Sequence, residues 1–316
     1  MPFSSVSKTS SSVGYTASKD QTLPIVPLIA TVCDFSKWDV KEAQDFAAAE
    51  ANEAASNLMS VVSDSIYAAA YGAQSPLGKS LYSSSSSFAG IHSFRQRVYG
   101  LDGAVLAATG IDDHESFVKA VEEGFSESFV GTNTPAPESS FVGGETRISA
   151  PSVGASHVSL AFQGPKNASA LLSVVQQCIE MTSEGTVSAY SSAKSGLVAA
   201  YASSTDGAAV TDQLCAVMST IPSADVITRA KNVAKANALL SVEGSDSQIL
   251  ASAMTDAVME SGSFSSAELA ATYDAVSVDQ VQAVFSALAG SQPALAAVGD
   301  LATVPYHGSV ASKFSS

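Results

Sequence analysis

The feature that most constrains this 316-residue chain is that its order of elements recurs. Ser18-Lys19-Asp20 overlays Ser204-Thr205-Asp206, each following a short strand and opening a helix. Lys41-Glu42-Ala43-Gln44 overlays Thr228-Arg229-Ala230-Lys231, and Val105 to Gly110 falls near Leu295 to Gly299. The offset stays at roughly 186 to 190 residues throughout, the mark of two copies of one α+β unit related by duplication. At this offset Met1 lands near Val187, so Glu145 to Glu184 of the second copy, two strands and a helix, has no counterpart in the first. The first copy is expected to begin partway through its own fold.

Hydrophobic periodicity supplies the elements. Ser11 to Ser18 alternates as a strand, and Asp20 and Thr22 can cap a helix over Leu23 to Val32 that tolerates Pro24 in its first turn. From Asp34 to Gly72 apolar residues recur at three- and four-residue steps, giving one long helix or two consecutive ones. Helices are expected at Phe88 to Tyr99 and around Phe117 to Phe125, with Ala104 to Thr109 as a short apolar strand between them. Gly131 to Gly144, with Pro135, Pro137 and paired glycines, reads as a linker. Beyond it come strands at Arg147 to Ala150 and His157 to Phe162, a helix from Pro165 through Cys178, and a hairpin of Gly185 to Tyr190 with Gly196 to Ala202. Five helices between Asp206 and Ala289 and a closing strand, Ala294 to Val298, complete the pattern. The expected organisation is a truncated first domain over 1–130, a linker over 131–144 and a second domain over 145–316.

Composition enters as a set of exclusions. Apolar residues make up 46% of the chain and charged residues 14%, a packed globular profile. A net charge of −15, spread along the chain, gives nucleic acid no electrostatic support. Cys33, Cys178 and Cys215 stand alone in apolar contexts, which argues for small buried hydrophobes in a reducing compartment rather than a disulfide framework. The longest apolar stretch, Leu23 to Val32, is interrupted by two prolines and is half of the roughly 20 residues that a membrane helix requires. The first 19 residues are Ser/Thr-rich with Lys8 and Lys19 and no acid, which faintly resembles an organellar presequence but lacks its arginines and apolar helical face.

Gly14-Tyr15-Thr16, Phe35 to Val40, Tyr67 to Tyr71 before Ser75-Pro76-Leu77-Gly78, and Val142 to Ile148 form a colinear series with Ser195-Gly196-Leu197, Leu239 to Glu243, Ala297 to Asp300 and Val304-Pro305-Tyr306. In this order they resemble the M16 (pitrilysin-like) family, and within it the mitochondrial processing peptidase subunits and the non-catalytic core subunits of the cytochrome bc1 complex. The resemblance spans Ser12 to Val310. It implies a fold of two duplicated M16-like α/β sandwich domains, α+β overall, the first truncated. It further implies a structural subunit of ubiquinol–cytochrome c reductase, peripheral on the matrix side of the mitochondrial inner membrane. The partners implied are a core protein 1 or processing peptidase beta-like subunit, cytochrome b and cytochrome c1. The alternative within the same fold is an alpha-type, presequence-binding subunit of a processing peptidase.

Active M16 members bind zinc through an HxxEH helix and a distal glutamate, because two histidines on successive turns face one metal while the glutamate between them activates its water. This chain has four histidines and none at that spacing: His92 precedes Ser93-Phe94-Arg95-Gln96, His114 precedes Glu115 but position 118 is valine, His157 lies on a strand, and His307 stands near the end. The helix that would carry the motif corresponds to Pro165 to Cys178 of the second copy, inside the stretch the first copy lacks. Glu50 and Glu53 lie where the resemblance places the distal glutamate, and read by themselves as solvated helix carboxylates. Gly143-Gly144 lacks phosphate-loop spacing, no serine lies in GxSxG, and Ser83 to Ser87 with Gly90 does not make the glycine-rich presequence loop of alpha-type subunits. Asp112-Asp113-His114-Glu115 reads as the cap of the following helix. The expectation is a chain with no catalytic residue, no metal and no cofactor.

Overall fold

The computed structural model describes residues 1–31, 37–82, 87–100, 103–126, 131–132, 134, 137–243 and 247–314. In chain order the elements are β1 (Pro2–Val6), β2 (Ser11–Tyr15), α1 (Thr22–Ala30), α2 (Lys37–Ser56), α3 (Leu58–Tyr71), α4 (Phe88–Val98), α5 (His114–Phe125), β3 (Gly144–Ser149), β4 (Ser156–Gln163), α6 (Ser169–Thr182), β5 (Ser188–Ser192), β6 (Leu197–Ser204), α7 (Gly207–Ser219), α8 (Ala224–Glu243), α9 (Ser247–Ser261), α10 (Ser266–Asp274), α11 (Val278–Ala289), β7 (Ala294–Gly299) and α12 (His307–Ala311). The long periodic stretch is two helices, because the Asn57 side chain caps the second by accepting from the Met59 and Ser60 amides at 3.1 and 3.3 Å. Cys33, Phe35 and most of the serine run fall outside the described residues.

The duplication is visible strand by strand. β1 pairs with β2 in the register Pro2↔Tyr15 through Val6↔Ser11. β5 pairs with β6 in the register Ser188↔Tyr201 through Ser192↔Leu197, so all five partner pairs coincide at an offset of 186. The two 20-residue helices α2 and α8 begin 187 residues apart, and α3 and α9 begin 189 apart. The chain has the mixed α+β architecture expected of M16-like domains.

Two compact units result, Met1–Ala51 with Tyr82–Pro137 and Leu240–Ser266, and Asn52–Leu81 with Glu138–Leu239 and Ala267–Ser316. These differ from an uninterrupted division near residue 131. The segment containing α3 belongs with the second copy and the segment containing α9 with the first, so the repeats exchange equivalent segments. The reason is burial of a sheet face, which periodicity alone does not assign to a particular sheet.

The larger unit holds a five-stranded sheet in the order β3-β7-β4-β6-β5, parallel between β3 and β7 and antiparallel elsewhere. Alternation sorts each strand onto two faces. Val158, Leu160, Phe162, Val198, Ala200, Leu295 and Ala297 face the main core with α6, α7 and α11, while Ala161, Leu197, Ala199, Ala294, Ala296 and Val298 pack against Val62, Ile66, Ala69, Ala70 and Tyr71 of α3. Four alanines on that second face allow α3 to lie close. β7, with every residue buried, is the central apolar strand that two-sided coverage requires.

In the smaller unit β1 and β2 form a two-stranded sheet, with α1 packed on α5 and both α1 and α9 touching β2. Within the Ser/Thr-rich first residues β1 forms with Phe3 lying over Gly14, where an added Cβ would fall 2.2 Å from the ring. Ala104 to Thr109 is not a strand, contrary to its apolar sequence. Its counterpart β7 is held between β3 and β4, and among the described residues of the smaller unit neither has an equivalent that could pair with the segment. The helix expected from Pro165 begins later, at Ser169, because the Gly164 and Asn167 amides bond the Gly196 and Ala193 carbonyls, both at 2.7 Å, and Asn167 adopts φ 54°.

Gly299 ends β7 at φ +109°, and a Cβ there would lie 2.2 Å from the Ala155 carbonyl oxygen, a backbone atom that cannot swing aside. Gly299→Ala is expected to cost about 2 kcal/mol or more, read as a lowered urea midpoint at unchanged slope.

Candidate functional site

The four histidines occupy separate structural positions. His92 sits half-buried on α4 with its ring 6.1 Å from Phe88. His114 is exposed at the first position of α5, and His307 Nε2 is 2.8 Å from the Pro293 carbonyl. His157 Nδ1 shares a 2.6 Å hydrogen bond with the Tyr201 hydroxyl, and the two rings stack. Glu50 and Glu53 are exposed on α2. Among the described residues no three His, Cys, Asp or Glu side chains converge in a way that could hold a metal ion. Glu50 and Glu53, where the resemblance places the distal glutamate, therefore have no histidine pair beside them among the described residues.

The acidic cluster does what helix capping requires. Asp113 is the N-cap of α5, its carboxylate accepting from the Ser116 amide at 3.1 Å and the Ser116 hydroxyl at 2.6 Å, and these bonds hold its pKa below the ordinary value. Asp112 pairs with Lys19 at 2.5 Å, both largely in solvent, a contact of small energetic weight. Cys178 and Cys215 are free and buried in the main core, where desolvation pushes their thiols up to about 12 and about 11. They are inert packing residues rather than nucleophiles.

A groove of about 340 Å³ opens in the larger unit beside α6 and α11, lined by residues including Gln163, Leu171, Gln280, Val284 and Leu288. Both glutamine amides are already committed. Gln163 donates to the Gly164 and Ser195 carbonyls at 2.9 and 3.1 Å, and Gln280 closes the capping box of α11 with Ser277. With no ionisable group in its lining, the groove offers shape and apolar surface, without acid–base or nucleophilic chemistry.

Two clusters were not legible in the sequence. Arg147 of β3 reaches Glu145 Oε1 at 2.7 Å and the Leu301, Val304 and Pro305 carbonyls at 3.1 to 3.2 Å, and its guanidinium lies 4.5 Å from the Tyr306 ring. Only the i, i+2 placement of Glu145 and Arg147 on one strand face hinted at a pair. Beneath α3 lies a phenol and hydroxyl layer: Tyr71 donates to the Ser195 carbonyl at 3.0 Å, and Tyr190 lies 3.4 Å from Ser159 Oγ, its hydroxyl pushed far up by burial.

His157 gives a pH dependence with a definite sign. Burial lowers its pKa from 6.5, so as pH falls through that value the unfolded chain takes up a proton that the folded chain resists. Thermal stability is expected to drop on acidification from pH 7.5 towards 5, and His157→Gln to flatten that slope; an unchanged slope would remove His157 as its cause.

The architecture is mixed α+β, built around a five-stranded sheet in the larger unit. A chain in the structure of complex III2 from Candida albicans with Inz-5 bound matches with a TM-score of 0.77 and 14% identity, over 94% of this chain and 81% of that one. In sequence the chain is 30% identical over 168 residues to the β subunit of the mitochondrial processing peptidase of Lentinula edodes. Over that stretch the chain is similar in sequence to a processing peptidase subunit. The match takes in 48% of this chain and spans 36% of the length of the relative. No family model matches.

Proposed function

We propose that this chain is a non-catalytic core subunit of mitochondrial complex III, of the core protein 2 type, with a structural and assembly role on the matrix side of the inner membrane. The observation that carries the reading is the likeness of fold to a complex III chain over 94% of this chain. The sequence supports the loss of peptidase chemistry: four histidines stand without an HxxEH pair, and zinc hydrolysis needs two histidines on adjacent turns with a glutamate between them. No helix among the described residues is long and apolar enough to cross a membrane, which supports peripheral attachment through protein contacts. The partners proposed are a core protein 1 or processing peptidase beta-like subunit, cytochrome b and cytochrome c1.

A second reading, an alpha-type presequence-binding subunit of a processing peptidase, draws only on the sequence likeness to a processing peptidase, which is to its β subunit. Extraction separates the two. A core subunit stays with haem-bearing subunits in mild detergent and is not released alone by carbonate or high salt, whereas a peptidase subunit is recovered as a soluble heterodimer that cleaves presequences. The isolated chain is expected to bind no stoichiometric zinc and to cleave no presequence peptide. One zinc per chain, lost in Glu50→Gln or Glu53→Gln, would contradict the non-catalytic assignment.

A further inference from the structure

We infer that the tyrosine and serine layer between α3 and the five-stranded sheet selects the helix that covers this face, admitting α3 and refusing its counterpart α9, so that the two repeats stay in their exchanged arrangement. The layer is built from both sides. From α3, the Tyr71 hydroxyl donates to the Ser195 carbonyl at 3.0 Å, and the Tyr67 phenol bonds to Ser192 and Ser195. From the sheet, the Tyr190 hydroxyl lies 3.4 Å from Ser159 Oγ and bonds to Ser63 of α3. The Tyr67 and Tyr71 rings stack with centroids 6.1 Å apart, and Phe141 stands edge-on to Tyr71 at 5.8 Å. Tyr71 and Ser195 are both buried, and the Ser195 carbonyl, which also accepts from Gln163 Nε2 at 3.1 Å, is a place for donors.

At the offset of 189 that separates α3 from α9, Tyr67 and Tyr71 correspond to Asp256 and Glu260, and Ala69 and Ala70 to Val258 and Met259. Each of these changes is unfavourable on the covered face. An ionised carboxylate only accepts hydrogen bonds, so Glu260 in the place of Tyr71 would set acceptor against acceptor with little water between them. Ala69 and Ala70 pack among the alanines of the sheet, and the Ala69 carbonyl approaches β3 so closely that a Cβ built on Gly144 would fall 3.3 Å from it. Valine and methionine overfill that space. In its observed place α9 keeps Asp256 and Glu260 exposed, where carboxylates are solvated. The device is internal to the fold and is the same whether the chain serves complex III or a processing peptidase.

Amide exchange over the full chain reads which helix is seated, with β7 as the measure that the sheet itself is folded. Tyr67→Asn with Tyr71→Gln retains donors, whereas Tyr67→Asp with Tyr71→Glu copies the chemistry of α9. At pH 7.5 the protection of the Ile66, Ala69 and Ala70 amides is expected to fall about a hundredfold further in the acid pair than in the amide pair. Acidification to pH 5 is expected to close most of that gap, because a buried carboxyl takes up a proton readily and then becomes a donor. A further chain carries the acid pair on α3 together with Asp256→Tyr, Val258→Ala, Met259→Ala and Glu260→Tyr on α9, and protection is expected to pass from α3 to α9. Should the acid pair not fold, Tyr67→Asp against Tyr67→Asn, at a half-buried position, makes the same comparison. Equal protection in the acid and amide variants, a gap unchanged at pH 5, or loss at α3 without gain at α9 while β7 stays protected would each overturn the proposal, the last by assigning the exchange to the chain connections.

Discussion

Arg147→Met is expected to destabilise the larger unit by about 3 kcal/mol and to open the C-terminal segment from Leu301 onward to proteolysis. Arg147 and Glu145 are only 18% and 20% exposed, and the guanidinium is the donor to one carboxylate and three carbonyls. Truncation leaves those acceptors without their donor in a half-buried place, which costs more than the pair is worth when intact. Arg147→Lys should recover little of the loss, because an ammonium cannot span Glu145 and the Leu301, Val304 and Pro305 carbonyls as a planar fork does. Limited proteolysis with mass mapping reads the effect. A variant as stable and as resistant as the parent would show that α12 and Phe314 hold the segment without the clamp.

Phe162→Ala is expected to cost about 3 to 5 kcal/mol, read as a fall in the urea midpoint. Phe162 is fully buried and meets Phe314, 1% exposed, edge to face with ring centroids 4.8 Å apart. Removing the ring leaves a cavity between β4 and the C-terminal segment. Folded domains hold in total about 5 to 15 kcal/mol, so this one change takes a large part of the margin. In the cycle with Phe314→Ala the double variant should lose about 0.5 to 1.5 kcal/mol less than the sum of the two single losses. Strict additivity would mean that the two rings contribute through burial alone.

The contrast between these residues and those read from sequence has a physical cause. Asp113 and Asp206 were legible as caps because a cap acts within three residues: Asp206 accepts from the Ala208 and Ala209 amides, as its place before an apolar-periodic run requires. The hairpin of β5 and β6 and the apolar run of β7 were legible for the same local reason. The Arg147 clamp was not, because its carbonyl partners lie 154 to 158 residues away and carry no side-chain signature. Ala104 to Thr109 and Ala294 to Gly299 look alike in sequence, yet only the second is a strand, since a strand is defined by neighbours that the first does not have. The exchange of α3 and α9 escaped for a related reason. An apolar stripe says that a helix must cover something and is silent about which sheet. The lack of an HxxEH pair is a property of the sequence itself, whereas the register of β1 with β2 emerges only from the structure.

The central claim is that this chain serves as a structural subunit of complex III. Its most direct test is a native gel of mild-detergent mitochondrial extract, stained for haem and analysed band by band by mass spectrometry. The account predicts this chain in the haem-stained complex III band, in stoichiometric ratio with cytochrome b and cytochrome c1. Its absence from that band, with recovery as a free monomer or in a haem-free dimer that processes presequences, would contradict the claim.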